Sequence, residues 1–138
     1  MVLIRGGSLI RSRTKPKKTR LSGRKTSILR PFTRGCIGHI TESGLSPYIE
    51  LLRTTSMEAA PMFREIDLVH IDANHSEWSS IQDVVLWIPK VRSGGIVIMG
   101  DINFETVAHA RRLALKECDI IKEIFREEGT SFGLYRKR

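Results

Sequence analysis

Three residues that can bind a metal ion or move a proton lie just after two apolar segments of this 138-residue chain. Asp72 and His75 follow the segment IDLVHI, and Asp101 follows the segment SGGIVIMG. Two carboxylates that share one site repel each other unless a cation, a basic substrate or a shared proton compensates, and oxygen ligands of this kind suit Mg²⁺. The residue types therefore predict Asp72 and Asp101 as metal ligands. They also predict His75 and Asp72 as catalytic residues, with the imidazole as a general base or a further ligand.

Plainer interpretations of the same residues stay open at this point. A polar residue between a strand and a helix often caps that helix, and Asp72 or Ser76 could do so here. A histidine in a loop, such as His75, is often only solvated. His70 could be added to draw a three-residue metal cluster with Asp72 and His75. We instead predict that His70 faces the packed side of its strand, as a core histidine with satisfied hydrogen bonds.

The segments around these residues alternate between strand and helix patterns. Strands are predicted over residues 47–54, 66–72, 93–101, 118–128 and 130–138, and helices over residues 56–63, 77–91 and 103–117. This order predicts the α/β class, with parallel strands that end in an antiparallel C-terminal hairpin joined tightly at residues 128–130. Ligands of open parallel sheets collect beyond the carboxyl ends of the strands. Asp72 and Asp101 should therefore meet at one cleft if their strands are neighbours.

The helix patterns also carry predictions about single residues. Trp78, Trp87 and Phe104 fit helix-to-sheet packing, and we predict a core position for each of them. Asn103 is well placed to cap the helix over residues 103–117.

Charge is unevenly distributed along the chain, whose net charge is +8. Residues 1–34 hold eleven Lys or Arg and no acid, whereas residues 35–138 hold twelve against fifteen acids. We predict a basic, mostly disordered segment over residues 1–40 and an α/β domain over residues 41–138. Nucleic acid bound through residues 1–34 is an alternative function, although a solvated basic arm is the interpretation that we favour. Two cysteines and no long apolar run indicate a cytoplasmic protein without a membrane partner.

The stretch IDLVHIDANHSEWSSIQDVVLWIPKVRSGGIVIMGDIN resembles class I S-adenosylmethionine-dependent methyltransferases, in particular the branch known as methyltransferase domain 24. The resemblance spans about residues 42–136 and is carried by Asp67, Asp72, His75, Asp83, Trp87, Pro89, Gly94, Gly95 and Asp101. It implies methyl transfer from S-adenosylmethionine to a hydroxyl of a small-molecule substrate. It further implies a divalent ion on Asp72 and Asp101, and proton removal by His75 or a neighbour.

The sequence departs from this family's pattern in two respects. Gly100 stands where many relatives have an acid or a histidine, which would leave a metal site one ligand poorer. The acid-x-Gly-x-Gly loop that binds the cofactor in the family, and the strand that follows it, have no counterpart here. We therefore expect a truncated C-terminal half with an incomplete Rossmann-like sheet, impaired activity, unknown cofactor-binding residues, and possible self-association through exposed sheet edges.

Overall fold

A computed structural model describes residues 2–4, 29–52, 54–72, 74–127 and 129–138. These residues form two compact units, 2–51 and 52–138. The smaller unit contains strand β1 (Val2–Ile4), helix α1 (Leu29–Glu42) and strand β2 (Ile49–Leu51). Strands β1 and β2 pair in antiparallel fashion, with Val2 opposite Leu51.

Helix α1 lies within the range for which the sequence analysis predicted mostly disorder. The prediction relied on the charge and glycine content of this range and did not identify the helical segment. Helix α1 is followed by Gly44, which has a left-handed backbone with φ of 67°. The remainder of the predicted basic segment, residues 5–28, lies outside the described residues. The boundary proposed at residue 40 therefore stays a prediction. The strand predicted over residues 47–54 is shorter than expected and covers only β2.

The larger unit has the alternating order that the sequence predicted. It consists of α2 (Ser56–Ala59), β3 (Ile66–Ile71), α3 (Glu77–Trp87), β4 (Val91–Gly100), α4 (Glu105–Ala114), β5 (Cys118–Ile124) and β6 (Phe132–Lys137). The sheet order is β3-β4-β6-β5. Strands β3 and β4 are parallel and the other two pairs are antiparallel, which confirms the α/β class and the closing hairpin. Residues 125–131 join β5 to β6, so the connection is longer than the tight turn that was predicted.

The sheet is open at β3 among the described residues, because β3 pairs there with β4 alone. One face of the sheet is buried by alternate residues of its strands, such as Val69, Ile71, Val97 and Met99, which share a core with residues of α3 and α4. The opposite face is less covered, and Leu68 is 45% exposed there.

Three of the four aromatic or histidine core predictions are wrong. The period of two that buries Val69 and Ile71 turns His70 to the other face, where half of its side chain is exposed. Trp78 lies in the first turn of α3 and is 74% exposed, and Phe104, which precedes α4, is 41% exposed. Trp87 is buried as predicted and packs against Phe63 at a ring-centroid distance of 5.7 Å.

A buried polar network ties α4 to the two strands of the hairpin. Arg111 donates two hydrogen bonds to the carboxylate of Glu123, at 2.7 and 2.6 Å, and the Tyr135 hydroxyl donates a third at 2.7 Å. The Arg111 hydrogen bonds hold the pKa of Glu123 below its usual value. Burial, followed by the bond to Glu123, raises the pKa of Tyr135. Glu123 is therefore ionised and Tyr135 neutral at neutral pH.

Candidate functional site

The register of the two parallel strands brings the predicted site residues to the same edge of the sheet. Ile71 is opposite Met99 in the ladder, so Asp72 and Asp101 leave the sheet at the carboxyl ends of neighbouring strands. Asp72, His75 and Asp101 each present one possible ligand atom, and these atoms lie within 4.8 Å of one another. The structure thus brings together all three residues that the sequence singled out, while their roles stay predictions.

Asp101 and His75 form the closest pair in this cluster. The Asp101 Oδ2 atom lies 2.7 Å from His75 Nε2, and the aspartate side chain is only 12% exposed whereas the histidine is 44% exposed. Phe104 contacts the imidazole edge-on at a centroid distance of 5.1 Å. The imidazole therefore has a carboxylate and an aromatic ring as neighbours, and it stays partly exposed to solvent.

The backbone at Asp101 adopts a conformation that few side chains tolerate. Its φ of 51° lies in the left-handed region, which aspartate accepts more readily than most residues. The Asp101 carbonyl accepts a hydrogen bond from the Phe104 N–H at 2.9 Å, which closes a turn directly after β4. This turn gives both Asp101 and Phe104 their positions beside His75.

Asp72 is free for a role in the site because another residue caps α3. Ser76 Oγ accepts the N–H of Ser79 at 3.4 Å, and the Ser76 N–H donates to Asn74 Oδ1 at 2.8 Å. The prediction that Ser76 caps this helix is confirmed. The corresponding prediction for Asn103 is wrong, since α4 has Phe104 at its N-cap position with no side-chain hydrogen bond.

A small open pocket adjoins the cluster and adds two polar residues that sequence reasoning did not assign to the site. Its wall includes Ser80 and Asp83 from α3, together with Asp72 and His75. The single O–H of Ser80 has two carbonyl oxygens within hydrogen-bond distance, those of Glu77 at 3.0 Å and Thr106 at 3.3 Å, and Asp83 is 9% exposed. The sequence did indicate this, because Ser80 and Asp83 are polar residues three positions apart on the otherwise apolar side of α3.

The donor set fits a divalent cation. Two carboxylates suit Mg²⁺ or Mn²⁺, and an imidazole nitrogen favours the transition metal. The sequence prediction gives such an ion to Asp72 and Asp101, and this role stays a prediction.

Residues that would hold S-adenosylmethionine are not assigned. The chain contains no acid-x-Gly-x-Gly segment, and residues 5–28 are outside the described part of the structure. Among the described residues, no helix is long and apolar enough to cross a membrane.

Three solved structures have a similar fold. A protein from Clostridium thermocellum assigned as an rRNA methylase is 12% identical, with a TM-score of 0.60 over 81% of this chain and 73% of that one. Cofactor-bound Rv0187 from MTB is 18% identical, with a TM-score of 0.57 over 77% of this chain and 56% of that one. The fibrillarin pre-rRNA processing protein of Methanococcus jannaschii is 13% identical, with a TM-score of 0.54 over 78% and 52%. The chain therefore spans only about half the length of the last two proteins.

Sequence comparison extends the similarity toward the N-terminus. No curated protein matches the chain. The methyltransferase domain family Methyltransf_24 matches residues 9–102, which is more than half of the chain. This match begins within the basic segment that the sequence analysis set apart, and it includes Asp72, His75 and Asp101. S-adenosylmethionine is the methyl donor that such a family implies. The chain belongs to the Methyltransf_24 family of methyltransferase domains.

Proposed function

We propose that this chain carries the acceptor side of a methyltransferase site that methylates a hydroxyl group of a small molecule. The observation that carries this proposal is the 2.7 Å contact between Asp101 Oδ2 and His75 Nε2 at the carboxyl ends of two parallel strands. A histidine oriented by a carboxylate is a suitable general base for a hydroxyl.

The roles of the residues follow from this contact. Asp101 Oδ2 lies 2.7 Å from His75 Nε2, which favours the tautomer with its proton on Nε2 and leaves Nδ1 of His75 as the nitrogen that can take a proton from the acceptor hydroxyl. S-adenosylmethionine supplies an electrophilic methyl group when it is bound. A divalent ion on Asp72 and Asp101 would lower the pKa of the hydroxyl and orient its oxygen. Phe104 limits the positions that the imidazole ring can adopt, because the two rings pack in a T-shaped arrangement.

The test is methyl transfer to a panel of small hydroxylated acceptors, measured as formation of S-adenosylhomocysteine. His75→Ala should lower the rate by about 10²-fold or more, since a positioned general base contributes that much. His109→Ala is the matched control, because His109 is also half exposed and pairs with an acid, Glu77, at 3.4 Å. Equal rates for the wild type and the His75 variant would refute the proposed role.

The absence of an acid-x-Gly-x-Gly segment affects the binding of S-adenosylmethionine, which is a question separate from the role of His75. We propose that the chain binds S-adenosylmethionine weakly and is impaired in methyl transfer, because catalysis of this kind rests mainly on positioning. Calorimetric titration of the chain with S-adenosylmethionine tests this point. Tight binding would overturn the proposed defect and leave the assignment of His75 intact.

Nucleic acid is a second candidate partner, and the observation that favours it is the charge of residues 1–34, which contain eleven Lys or Arg and no acid. Two of the structurally similar proteins are named for rRNA or pre-rRNA. Basic residues of this kind would neutralise phosphates and bind in a salt-dependent, sequence-independent manner.

The test is binding of labelled single-stranded RNA as salt is raised. Replacing Lys15, Lys17 and Lys18 by Gln in the full chain should reduce the slope of log affinity against log salt by about 2. The matched control replaces three exposed basic residues of the larger unit, Lys116, Lys122 and Arg126. Equal slopes for the two triple variants would exclude the basic segment as the cause.

Self-association through the exposed edges of β3 and β5, and a cytoplasmic location, remain predictions. Light scattering across a range of protein concentrations tests the first, and fractionation of cells that express the full-length protein tests the second.

A further inference from the structure

A close contact links Asp72 to a glycine of the next strand. A Cβ atom built on Gly100 would lie 2.8 Å from Asp72 Cγ and 3.3 Å from Asp72 Cβ, and closer still to Asp72 Oδ1. Such separations are too short for real atoms, so the Asp72 carboxylate occupies the space that any side chain at position 100 would need.

The backbone does not require glycine at this position. Gly44, Gly94 and Gly129 have positive φ values among the described residues, whereas Gly100 does not. All three nearest neighbours of its hypothetical Cβ belong to the side chain of Asp72. What excludes a larger residue at position 100 is therefore the Asp72 side chain and not backbone strain.

We infer that Gly100 is a positioning residue that seats the Asp72 carboxylate against β4, where it can share a cation with Asp101. This inference rests on the proposed metal site.

A side chain at position 100 should displace Asp72 without unfolding the chain. Asp72 is 42% exposed, so its carboxylate can turn toward solvent when a methyl group occupies its seat. That movement removes the Asp72 carboxylate from the proposed cation site, while Asp101 and His75 stay in contact with each other.

The experiment combines metal binding with a double-mutant cycle. Mn²⁺ alone is titrated into the wild type, Gly100→Ala and the control Gly35→Ala, whose added Cβ would meet no heavy atom within 4 Å. We expect Gly100→Ala to weaken Mn²⁺ binding by about tenfold or more and Gly35→Ala to leave it unchanged. Unchanged Mn²⁺ affinity in Gly100→Ala would overturn the positioning role.

The double-mutant cycle tests the packing of the Asp72 carboxylate against Gly100 in the absence of metal. Gly100→Ala should lower the melting temperature by on the order of 5 °C when Asp72 is present, and by less than half as much in an Asp72→Ala background. Equal losses in the two backgrounds would overturn the inference. If the cycle shows coupling but the wild type does not bind Mn²⁺, the seat stands and the proposed metal site fails.

Discussion

The buried network of Arg111, Glu123 and Tyr135 allows a stability prediction whose size follows from its geometry. Replacing Glu123 by Ala removes three short hydrogen bonds at once. Tyr135 is fully buried, so its hydroxyl loses its acceptor in a place that water does not reach. The Arg111 side chain is 26% exposed, so its charge regains part of its hydration.

The magnitude follows from these two consequences. An orphaned buried hydroxyl costs about 1–3 kcal/mol, and loss of a charge-assisted pair costs a similar amount when one partner can partly rehydrate. We expect Glu123→Ala to lower the free energy of unfolding by about 3 kcal/mol, which corresponds to roughly 10 °C in melting temperature. The double variant Glu123→Ala/Tyr135→Phe lacks the orphaned hydroxyl, so it should be about 1 kcal/mol more stable than the single variant.

Urea denaturation followed by circular dichroism measures these differences, with Glu127→Ala as the control because Glu127 is exposed in the β5–β6 connection. If Glu123→Ala is as stable as the control, the network does not stabilise the fold. If the double variant is less stable than Glu123→Ala, the hydroxyl is not the source of the loss.

Three further predictions concern the same unit. The Arg111 hydrogen bond is the main cause that lowers the pKa of Glu123 in the folded state, so the stabilising effect of Glu123 is fully present above its unfolded pKa of about 4.3 and is lost as the pH falls below that value. The difference in unfolding free energy between the wild type and Glu123→Ala should therefore be constant from neutral pH to about 5.5 and should then shrink. An undiminished difference at pH 3 would contradict this. Gly95→Ala should lower the free energy of unfolding by about 2 kcal/mol, because its Cβ would lie 2.8 and 2.9 Å from the carbonyl oxygens of Asp67 and Arg92. The control Gly35→Ala in α1 should be neutral or stabilising. Thermal unfolding of the two variants measures the difference. Ser76→Ala should cost about 0.5 kcal/mol through loss of the α3 cap, whose bond is long at 3.4 Å, and an equal effect of Ser93→Ala at an exposed strand position would contradict the capping role.

The site residues were predictable from the sequence because their positions follow from local rules. Apolar runs identify β3 and β4, a helix between two strands gives a parallel pair, and parallel neighbours put Asp72 and Asp101 at one edge. Ser76 was predictable as a cap for a similar reason, since capping depends on residues close in sequence.

Other features depend on contacts that no local pattern contains. Periodicity shows that His70 and Val69 face opposite sides of β3, but it does not show which side a second layer covers. Trp78 and Phe104 were placed in the core because they are large and apolar, while the structure leaves both at the exposed rim. The seat of Asp72 against Gly100 depends on the register between two strands, and the left-handed backbone of Asp101 depends on the turn that follows β4.

The most direct test of the central claim, that a cation held by Asp72 and Asp101 lies beside the general base His75, is the effect of Mn²⁺ on the histidine ring signals in the NMR spectrum. The chain has four histidines, and only His75 belongs to the cluster. We predict that substoichiometric Mn²⁺ broadens the signals of His75, and of His70, whose Nε2 lies 3.9 Å from Asp72 Oδ2, before those of His109, and that Asp101→Ala abolishes this preference. Broadening of all four histidines together, or of His75 last, would contradict it.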